Sequence, residues 1–271
     1  MASALASSPV RATFWGKVSQ SRGFIVDMMK SRKQAPVSMF LSILFLLLAP
    51  CVTSASGCNH LEQLSTLRNE YFALRHGQSK ANVAKIIASN PSIACTGYGL
   101  SDVGKSQARV AGESVVRCYQ TSSRRYKGIA ILSSDLVRAR ETAEYVAEAA
   151  REASIPLYND GVVIETRLRE RGFGEYDLRD DCHYHDVWKD DAIDPTHENK
   201  GVESVMSVTD RSTACIVEWD EALQDYFVVC VAHGDVLQIL QTAFHKMDCS
   251  KHRSLDHLET ATLRPLVLVH Q

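Results

Sequence analysis

Apolar and polar positions along the chain predict that strands and helices alternate from about residue 66 onward. Short apolar runs at residues 70–74, 128–132 and 226–232 are typical of buried strands, and residues 263–269 predict a closing strand. Apolar residues recur at helical spacing in four further segments: 108–119, 135–150, 203–223 and 236–244. Because the two kinds of segment alternate, we expect an α/β fold, a three-layer sandwich whose mostly parallel central sheet carries helices on both faces.

Residues 172–200 interrupt this pattern. They are rich in Asp, His and Tyr, show little periodicity and contain Pro195. Long segments of this kind are usually functional or disordered, so we expect a surface excursion beside the functional site. His183 and His185 lack a defined third ligand, which favours loop surface over a metal site. Phe173 and Tyr176 suit either stacking on a substrate or packing in the core.

Residues 1–55 predict a targeting segment that precedes a globular domain over residues 66–271. The apolar run from Met39 to Val52 is shorter than the ~20 residues of a membrane span, but it has the length of a signal-peptide core, about 7–15 residues. Basic residues precede this run and small residues that suit cleavage follow it: Lys30, Arg32 and Lys33, then Thr53, Ser54 and Ala55. We therefore expect the secretory pathway as the destination.

Alternatives stay open for this segment. Residues 1–38 make an unusually long N-terminal region ahead of the apolar core of a signal peptide. Translation that started at Met28 or Met29 would give a signal peptide of normal length. Residues 1–26 contain five Ser and no acidic residue, which also suits a plastid-type leader. An uncleaved run from Met39 to Val52 would anchor the protein in a membrane, and contact with a membrane is expected only in that case.

The charge distribution excludes a general nucleic-acid binder. The formal net charge is −2, but residues 1–55 hold six of the 30 basic residues and only one of the 32 acidic residues. The predicted globular domain is therefore acidic, whereas binding to nucleic acid requires a basic stripe that neutralises phosphates. Any anion site in this domain must be a local concentration of Arg and His.

The eight cysteines leave the redox compartment open. Cleavage after Ala55 would leave seven, an odd number that requires at least one free thiol. The absence of a Cys-x-x-Cys pair argues against a structural zinc site. Cys230 lies inside a predicted strand, where we expect it to pack as a small core residue.

Three of the predicted strands end in residues that favour phosphate binding: Arg75-His76-Gly77, Ser133-Ser134-Asp135 and His233-Gly234-Asp235. The second of these leads into the predicted helix that carries Arg138. In open parallel sheets, ligands bind at the carboxyl ends of the strands, where helix N-termini present N–H groups and a positive dipole to anions. We therefore expect two histidines and two arginines to meet around one phosphoryl group without a metal ion.

Five ordered motifs give the chain a specific resemblance to the histidine phosphatase superfamily, in its phosphoglycerate-mutase-like branch. The resemblance covers about residues 68–270 and rests on these segments: Arg75-His76-Gly77-Gln78-Ser79, Ser133-Ser134-Asp135-Leu136-Val137-Arg138-Ala139, Leu168-Arg169-Glu170-Arg171, Gly201-Val202-Glu203-Ser204 and Ala232-His233-Gly234. It implies a phosphoglycerate-mutase-like sandwich and a phosphohistidine mechanism that needs neither a metal nor another cofactor.

The resemblance also implies a role for each matching residue. His76 would be the nucleophile and form a covalent phosphoryl-enzyme. Arg75, Arg138 and His233 would hold the phosphoryl oxygens, for which the planar guanidinium is well suited. Glu170 would protonate the leaving alcohol and then accept a proton from water. Two residues are expected to complete the pocket wall: Asn82 and, less directly, Ser79.

Structural alternatives exist for several of these residues. His76 and His233 could be hydrogen-bonded structural histidines, and Arg138 could pair with Asp135 or Glu141 on the helix surface. Two nearby acids compete with Glu170 for the catalytic role: Glu165 and Glu175. The pair Glu203 and Arg211 fits the Gly-x-Glu-Ser helix of the family, and we expect it to be mainly structural.

The sequence favours a phosphatase over a mutase. A cofactor-dependent phosphoglycerate mutase usually has an aromatic Gly-Trp stretch after Arg-His-Gly and an Arg-His-Tyr-Gly sequence after its catalytic Glu. This chain has neither, since Glu170 is followed by Arg171-Gly172-Phe173. A mutase must also exclude water from its phosphohistidine. The expected activity is therefore hydrolysis of a small phosphomonoester, with a mutase or a catalytically silent phosphoester-binding relative as alternatives; the substrate and the oligomeric state stay open.

Overall fold

The computed structural model of the protein describes residues 59–269. The predicted targeting segment, residues 1–55, lies outside the described residues and stays a prediction. The globular part includes residues ahead of position 66, because Leu61 is fully buried in the main core. Within residues 59–269, no helix combines the length and the apolar character needed to cross a bilayer.

The described residues contain one five-stranded sheet. Its strands are β1 (Glu70–Arg75), β2 (Ile129–Ser133), β3 (Leu157–Ile164), β4 (Phe227–Ala232) and β5 (Leu263–Leu266), in the spatial order β3-β2-β4-β1-β5. The β3–β2, β2–β4 and β4–β1 pairs are parallel, and β5 runs antiparallel to β1. The prediction of an α/β fold with a mostly parallel sheet is confirmed.

Seven α-helices lie within residues 59–269. They are α1 (Lys80–Ala84), α2 (Pro91–Ala94), α3 (Asp102–Thr121), α4 (Val137–Glu152), α5 (Tyr184–Ile193), α6 (Val205–Ala222) and α7 (Gly234–Phe244). Apolar residues of α3 and α4 pack on one face of the sheet, and those of α6 and α7 pack on the other. The sheet and the helices on its two faces form the three layers.

Successive side chains of each strand point to opposite faces of the sheet, so the sheet separates two apolar cores. In β1, Tyr71 and Ala73 face the α6–α7 side, whereas Phe72 and Leu74 face the α3–α4 side. Strand β4 is buried at all six positions, because it lies in the middle of the sheet and is covered by helices on both faces. This explains why it appears in the sequence as a continuous apolar run.

Strand β3 was not anticipated from the sequence. It is an edge strand of the sheet, and its residues are half-buried or exposed. An edge strand of this kind has no need of a continuous apolar run, so Leu157–Ile164 lacks the signal that marked the central strands. The predicted closing strand is also shorter than expected, since β5 ends at Leu266.

The excursion, residues 172–200, has more structure than its composition indicated. It contains α5, and Phe173 and Val187 are buried together in a small apolar cluster. Phe173 also forms an isolated bridge with Val202, which fastens the start of the excursion to its end. Residues 172–200 therefore form a partly packed segment with its own helix rather than a simple surface loop.

Candidate active site

The register of the parallel strands brings three strand ends together. Arg75 pairs with Ala232, and Ser133 pairs with Val231, so β1, β2 and β4 end at the same edge of the sheet. The pairing continues one residue further, because the amide of His76 donates to the carbonyl of Ala232 at 3.0 Å. His76 and His233 thus face each other, with ring centroids 5.1 Å apart.

His76 is oriented by its own backbone. Its Nδ1 lies 2.7 Å from the carbonyl oxygen of Gly77, and because a carbonyl only accepts, Nδ1 carries the proton. The neutral ring then has its lone pair on Nε2, which accepts a hydrogen bond from Nε of Arg138 at 3.0 Å. The side chain is only 3% exposed. His76 therefore presents an unprotonated nitrogen beside a guanidinium.

Close backbone contacts hold the turn after His76. A Cβ at Gly77 would lie 2.5 Å from the carbonyl oxygen of Gly104, and a Cβ at Gly104 would lie 1.9 Å from that of Gln78. Any side chain at these positions would push the turn away from the first residues of α3. The glycine of the Arg-His-Gly motif is thus required because this turn packs directly on a helix.

The two acids that could pair with Arg138 on the helix surface, Asp135 and Glu141, bind other groups instead. Asp135 binds Arg169 through two hydrogen bonds of 2.7 and 2.6 Å. Glu141 accepts a hydrogen bond from the amide of Leu100 at 2.6 Å. Arg138 is buried in the first turn of α4 and forms no ion pair within the described residues. The surface ion pairs considered for it are therefore absent from this part of the chain.

His233 is held by Ser134. Its Nε2 lies 2.9 Å from the hydroxyl oxygen of Ser134, which also accepts from the amide of Leu136 at 3.2 Å. The hydroxyl can donate its proton to Nε2 while it accepts from Leu136, and in that arrangement the ring proton lies on Nδ1. His233 is fully buried and precedes the first residue of α7. Ser134, the residue after β2, thus orients His233, the residue after β4.

Arg75 is positioned by a segment near the C-terminus. Its Nη1 donates to the carbonyl of Leu258 at 3.0 Å and lies 2.9 Å from Nε2 of His257. The guanidinium also passes close to the start of α7, since a Cβ at Gly234 would lie 3.2 Å from its Cζ. Residues 249–258 were not anticipated as part of the site, because they carry no strand-end motif.

Three buried donors converge on this edge of the sheet. Within residues 59–269, four fully buried side-chain nitrogens lack a hydrogen-bond partner, and three of them are Arg75 Nε, Arg138 Nη1 and His233 Nδ1. Buried polar atoms are almost always hydrogen-bonded, so such a concentration marks a site for an acceptor. The oxygens of a phosphoryl group are suitable acceptors for all three.

Burial and positive charge keep both histidines neutral. Burial lowers the pKa of His76 well below its ordinary value, and the charges of Arg138 and Arg75 lower it further. Burial also lowers the pKa of His233, with Arg138 and His76 acting in the same direction. A neutral imidazole can act as a nucleophile because its lone pair is free.

Glu170 is the acid that lies in this site. Burial raises its pKa to about 7, against the opposing attraction of Arg138 and with added repulsion from Asp235. Its side chain is 8% exposed, and Oε1 accepts a hydrogen bond from the amide of Arg171 at 3.0 Å. A carboxyl group with a pKa near 7 can donate and accept protons at neutral pH.

The two competing acids are placed differently. Glu165 binds the side chain of Arg167 through both carboxylate oxygens and also accepts from Trp219, and these contacts lower its pKa to about 2 against the opposing effect of burial. Glu175 is exposed. Neither is arranged to exchange protons with a ligand at the strand ends.

Ser79 and Asn82 cap helix α1. The hydroxyl oxygen of Ser79 accepts from the amide of Asn82 at 3.2 Å, and Oδ1 of Asn82 accepts from the amide of Ser79 at 2.9 Å. This capping box uses the hydroxyl of Ser79 and the amide oxygen of Asn82. Asn82 is exposed, and its side-chain nitrogen Nδ2 has no hydrogen bond within the described residues.

A buried ionic cluster lies beside the candidate site. Arg171 is fully buried and binds Asp191 through two hydrogen bonds of 2.7 and 2.6 Å, with a third contact to Asp235 at 3.3 Å. Asp191 also pairs with His197 at 2.8 Å and with His252 at 3.1 Å. The cluster joins the excursion to α7 and to residues 249–254, and it immobilises the residue next to Glu170.

Glu203 and Arg211 form a second support. Arg211 binds both carboxylate oxygens of Glu203, at 2.7 and 3.0 Å, and donates to the carbonyl of Arg169 at 3.0 Å. Glu203 in turn accepts from the amide of Gly172 at 3.1 Å. The pair thus brackets the turn that carries Glu170, which agrees with the structural role expected for it.

No group of three or more metal-ligating side chains suited to a metal ion occurs in the part of the chain that the structure describes. His185 packs edge-on against Trp188, and His183 lies 3.3 Å from a carboxylate oxygen of Asp186.

The family follows from a direct comparison. The model of the histidine phosphatase superfamily, branch 1, matches residues 71–270. The chain belongs to this superfamily. A curated member, a probable phosphoglycerate mutase of Proteus mirabilis, is 24% identical over 176 residues, which are 63% of this chain and 72% of that protein.

Solved structures support the same assignment. A mycobacterial glucosyl-3-phosphoglycerate phosphatase in complex with VO3 is 26% identical, with a TM-score of 0.58, and the match covers 72% of this chain and 90% of that one. A putative alpha-ribazole-5'-P phosphatase from Escherichia coli is 20% identical, with a TM-score of 0.53 over 72% of this chain and 89% of that one, and shows the shared fold. This histidine phosphatase superfamily member thus resembles phosphatases as well as a mutase.

Proposed function

We propose that this protein hydrolyses small phosphomonoesters through a covalent phosphohistidine on Nε2 of His76. The observation that carries the proposal is the 3.0 Å contact between Nε2 of His76 and Nε of Arg138. It combines a buried, unprotonated nitrogen with a cation at the place where phosphoryl oxygens would be held. The three residues that carry buried nitrogens without partners, Arg75, Arg138 and His233, are neighbours of His76.

In the first step, the lone pair of His76 Nε2 attacks phosphorus and the bond to the ester oxygen breaks. Glu170 donates its proton to the departing alkoxide, so that a neutral alcohol leaves. Arg75, Arg138 and His233 hold the three non-bridging oxygens, on which charge must be stabilised during transfer. The raised pKa of Glu170, about 7, suits this role because the acid form persists near neutral pH.

In the second step, water attacks the phosphorus of phosphohistidine. The carboxylate of Glu170 now takes a proton from that water, and the bond between nitrogen and phosphorus breaks. The electron pair returns to Nε2, and inorganic phosphate leaves. His76 is then ready for another cycle, with its Nδ1 proton held throughout by the carbonyl of Gly77.

A phosphoglycerate-mutase activity is the second candidate, since a curated relative is a probable mutase. Two departures from the mutase pattern favour hydrolysis: the missing Gly-Trp stretch and the sequence Arg171-Gly172-Phe173 after Glu170. Incubation of the full chain with 3-phosphoglycerate and 2,3-bisphosphoglycerate distinguishes the two. Isomerisation faster than phosphate release would identify a mutase, whereas phosphate release without isomerisation is expected.

The proposed intermediate can be trapped directly. The full chain is mixed with a ³²P-labelled phosphomonoester such as phenyl phosphate and denatured within milliseconds. We expect protein-bound label that is acid-labile and base-stable, present in His185→Ala, an exposed control, and absent in His76→Ala. Lack of label and of turnover across a broad phosphoester panel would contradict a phosphatase and favour a silent relative.

We propose the secretory pathway as the destination, on the strength of residues 30–55, with a plastid leader as the alternative. N-terminal sequencing of the mature protein from its native source tests this. Cleavage near Ala55 supports a signal peptide, and an intact chain in the membrane fraction would instead indicate an anchor.

A further inference from the structure

His257 accepts a hydrogen bond from the guanidinium of Arg75. Nη1 of Arg75 lies 2.9 Å from Nε2 of His257 and also donates to the carbonyl of Leu258 at 3.0 Å. A guanidinium only donates, so Nε2 of His257 must carry a lone pair, and the ring proton lies on Nδ1. This contact between a cation and an imidazole therefore requires the neutral form of His257.

The contact leaves one edge of the Arg75 guanidinium free. Neither Nε nor Nη2 has a hydrogen-bond partner within residues 59–269, and Nε is fully buried. These two nitrogens form the edge that can bind two phosphoryl oxygens at once. A Cβ at Gly234 would lie 3.2 Å from Nε and 3.5 Å from Nη2, so this edge passes the residue that follows His233. The bonds of Nη1 thus determine which edge of Arg75 lies at the candidate site.

The backbone around His257 is held by two elements of the fold. Gln238 of α7 donates from its side chain to the carbonyl of Leu255 at 3.0 Å. Arg264 of β5 donates to the carbonyl of His257 itself at 2.8 Å. The next residue, Leu258, is fully buried. The imidazole is therefore attached to a backbone that α7 and β5 keep in place.

The groups around His257 favour its neutral form. Partial burial lowers the pKa of this imidazole, and the charge of Arg75 lowers it further. Arg253 and Arg264 act in the same direction, and Glu259 opposes them. The residue is nevertheless open to solvent, from which it can take up a proton. The ring is therefore neutral at pH 7 and becomes cationic only in acid, below the ordinary histidine value of 6.5.

We propose that His257 is a positioning residue: its neutral form holds Arg75 at the phosphoryl site, and a proton on Nε2 breaks this contact and weakens the binding of the phosphoryl group. The added proton takes the lone pair that Arg75 needs as an acceptor, and it places two cations against each other. This inference rests on the proposed function, since it assumes that Arg75 binds phosphoryl oxygens.

The expected effect of pH has an unusual sign. A histidine that binds an oxyanion directly increases the affinity when it is protonated, because an imidazolium attracts the anion. Here the nitrogen that would take the proton is the one that holds Arg75 at 2.9 Å, so the new charge displaces a guanidinium that can bind two oxygens. The direction of the change in acid therefore distinguishes a positioning histidine from one that binds the anion itself.

Sulfate is a suitable probe, because it stays a dianion in mild acid and its binding requires no turnover. Isothermal titration calorimetry of the full chain gives its dissociation constant. At pH 7.5, His257→Leu should bind sulfate about three- to tenfold more weakly, the usual effect of losing one hydrogen bond. His257→Gln should bind like the unmodified chain, because the amide oxygen of glutamine can accept from Arg75 in place of Nε2.

At pH 5.5, the unmodified chain should bind sulfate at least about threefold more weakly than His257→Gln, in which nothing titrates at this position. His245→Gln is the control, because His245 is exposed and lies at the far end of α7. It should bind like the unmodified chain at both pH values. Should His257→Leu fail to fold, the comparison of the unmodified chain with His257→Gln at pH 5.5 decides alone.

Three results would each overturn the inference: undiminished binding by His257→Leu at pH 7.5, an equal loss in His257→Gln, or binding by the unmodified chain at pH 5.5 that is as tight as that of His257→Gln or tighter. Phosphohistidine on His76 together with any of these results would leave the hydrolase intact. The expected sulfate pattern without phosphohistidine or turnover of any phosphoester would instead overturn the hydrolase alone.

Discussion

Nε of Arg138 donates to Nε2 of His76 across 3.0 Å, from the first turn of α4 to the end of β1. The contact occupies the nitrogen that is proposed to attack phosphorus, so a phosphoryl group must displace it. Arg138 would then transfer its hydrogen bonds from the ring to the phosphoryl oxygens. In the proposed reaction, the arginine keeps the nucleophile oriented and unprotonated before the substrate arrives and binds the transferring group afterwards.

Arg138→Ala should lower kcat by about 10²–10³-fold, the usual effect of removing one donor that stabilises transition-state charge. Steady-state assays with phenyl phosphate measure the change. Arg140→Ala is the matched control, since Arg140 lies on the same helix and donates to the carbonyl of Cys95 at 2.9 Å. If both substitutions reduced kcat equally, a general effect on α4 would explain the loss.

Glu170→Gln should lower kcat by about 10²–10⁴-fold for alkyl phosphates, whose alkoxides need a proton to leave. The loss should be much smaller for phosphorylation by 4-nitrophenyl phosphate, whose leaving group is stable as an anion. Burst kinetics with both substrates separate the two cases. Glu175→Gln, an exposed neighbour, should change neither rate, and an equal loss for both leaving groups would contradict a proton-donating role.

Phosphorylation of the enzyme should slow as the pH rises through about 7. The pKa of Glu170 is raised from 4.5 to about 7, so the proton that it donates is present below that pH and is lost above it. His76 does not produce this limb, because its pKa is lowered and its ring is already neutral. Single-turnover rates with an alkyl phosphate between pH 5 and 9 measure the dependence, and the limb should disappear in Glu170→Gln.

Asp191→Ala should destabilise the protein by about 3–5 kcal/mol, because it leaves the buried guanidinium of Arg171 without its main partner. Urea unfolding monitored by circular dichroism gives the change in free energy. Asp190→Ala, which removes a partly exposed carboxylate bound to Asn199, should cost less than about 1 kcal/mol. Similar unfolding curves for the two variants would show that the buried cluster contributes little.

The pH dependence of this cluster has a definite sign. Contacts with Arg171, His252 and His197 hold the pKa of Asp191 below its ordinary value, although burial opposes them. The stability that this carboxylate contributes is therefore present above its unfolded pKa of about 3.9 and is lost as the pH falls through the lowered folded value. Unfolding free energies between pH 7 and 3 should decline less steeply in Asp191→Ala.

Local sequence was sufficient to place His76, the proposed nucleophile, at the end of a buried central strand. A buried strand that ends in Arg75-His76-Gly77 places its last side chains at the sheet edge whatever the other elements do. The central strand β4 was equally clear, because a strand covered on both faces must be apolar throughout. The sequence pattern did not predict the edge strand β3 or helix α5, since partly exposed elements need no continuous apolar pattern.

The sequence was sufficient for the family, for four of the five strands and for the identity of the groups at the strand ends. Which of the three glutamates lies in the site follows from the folded structure, because burial and ion pairing depend on neighbours far along the chain. The positioning of Arg75 by His257 and Leu258 likewise depends on contacts between segments that are distant in the chain. A sequence motif shows which side chains lie at the end of a strand. The pKa values of those side chains, and which of their hydrogen-bond donors stay free, depend on packing in the folded protein.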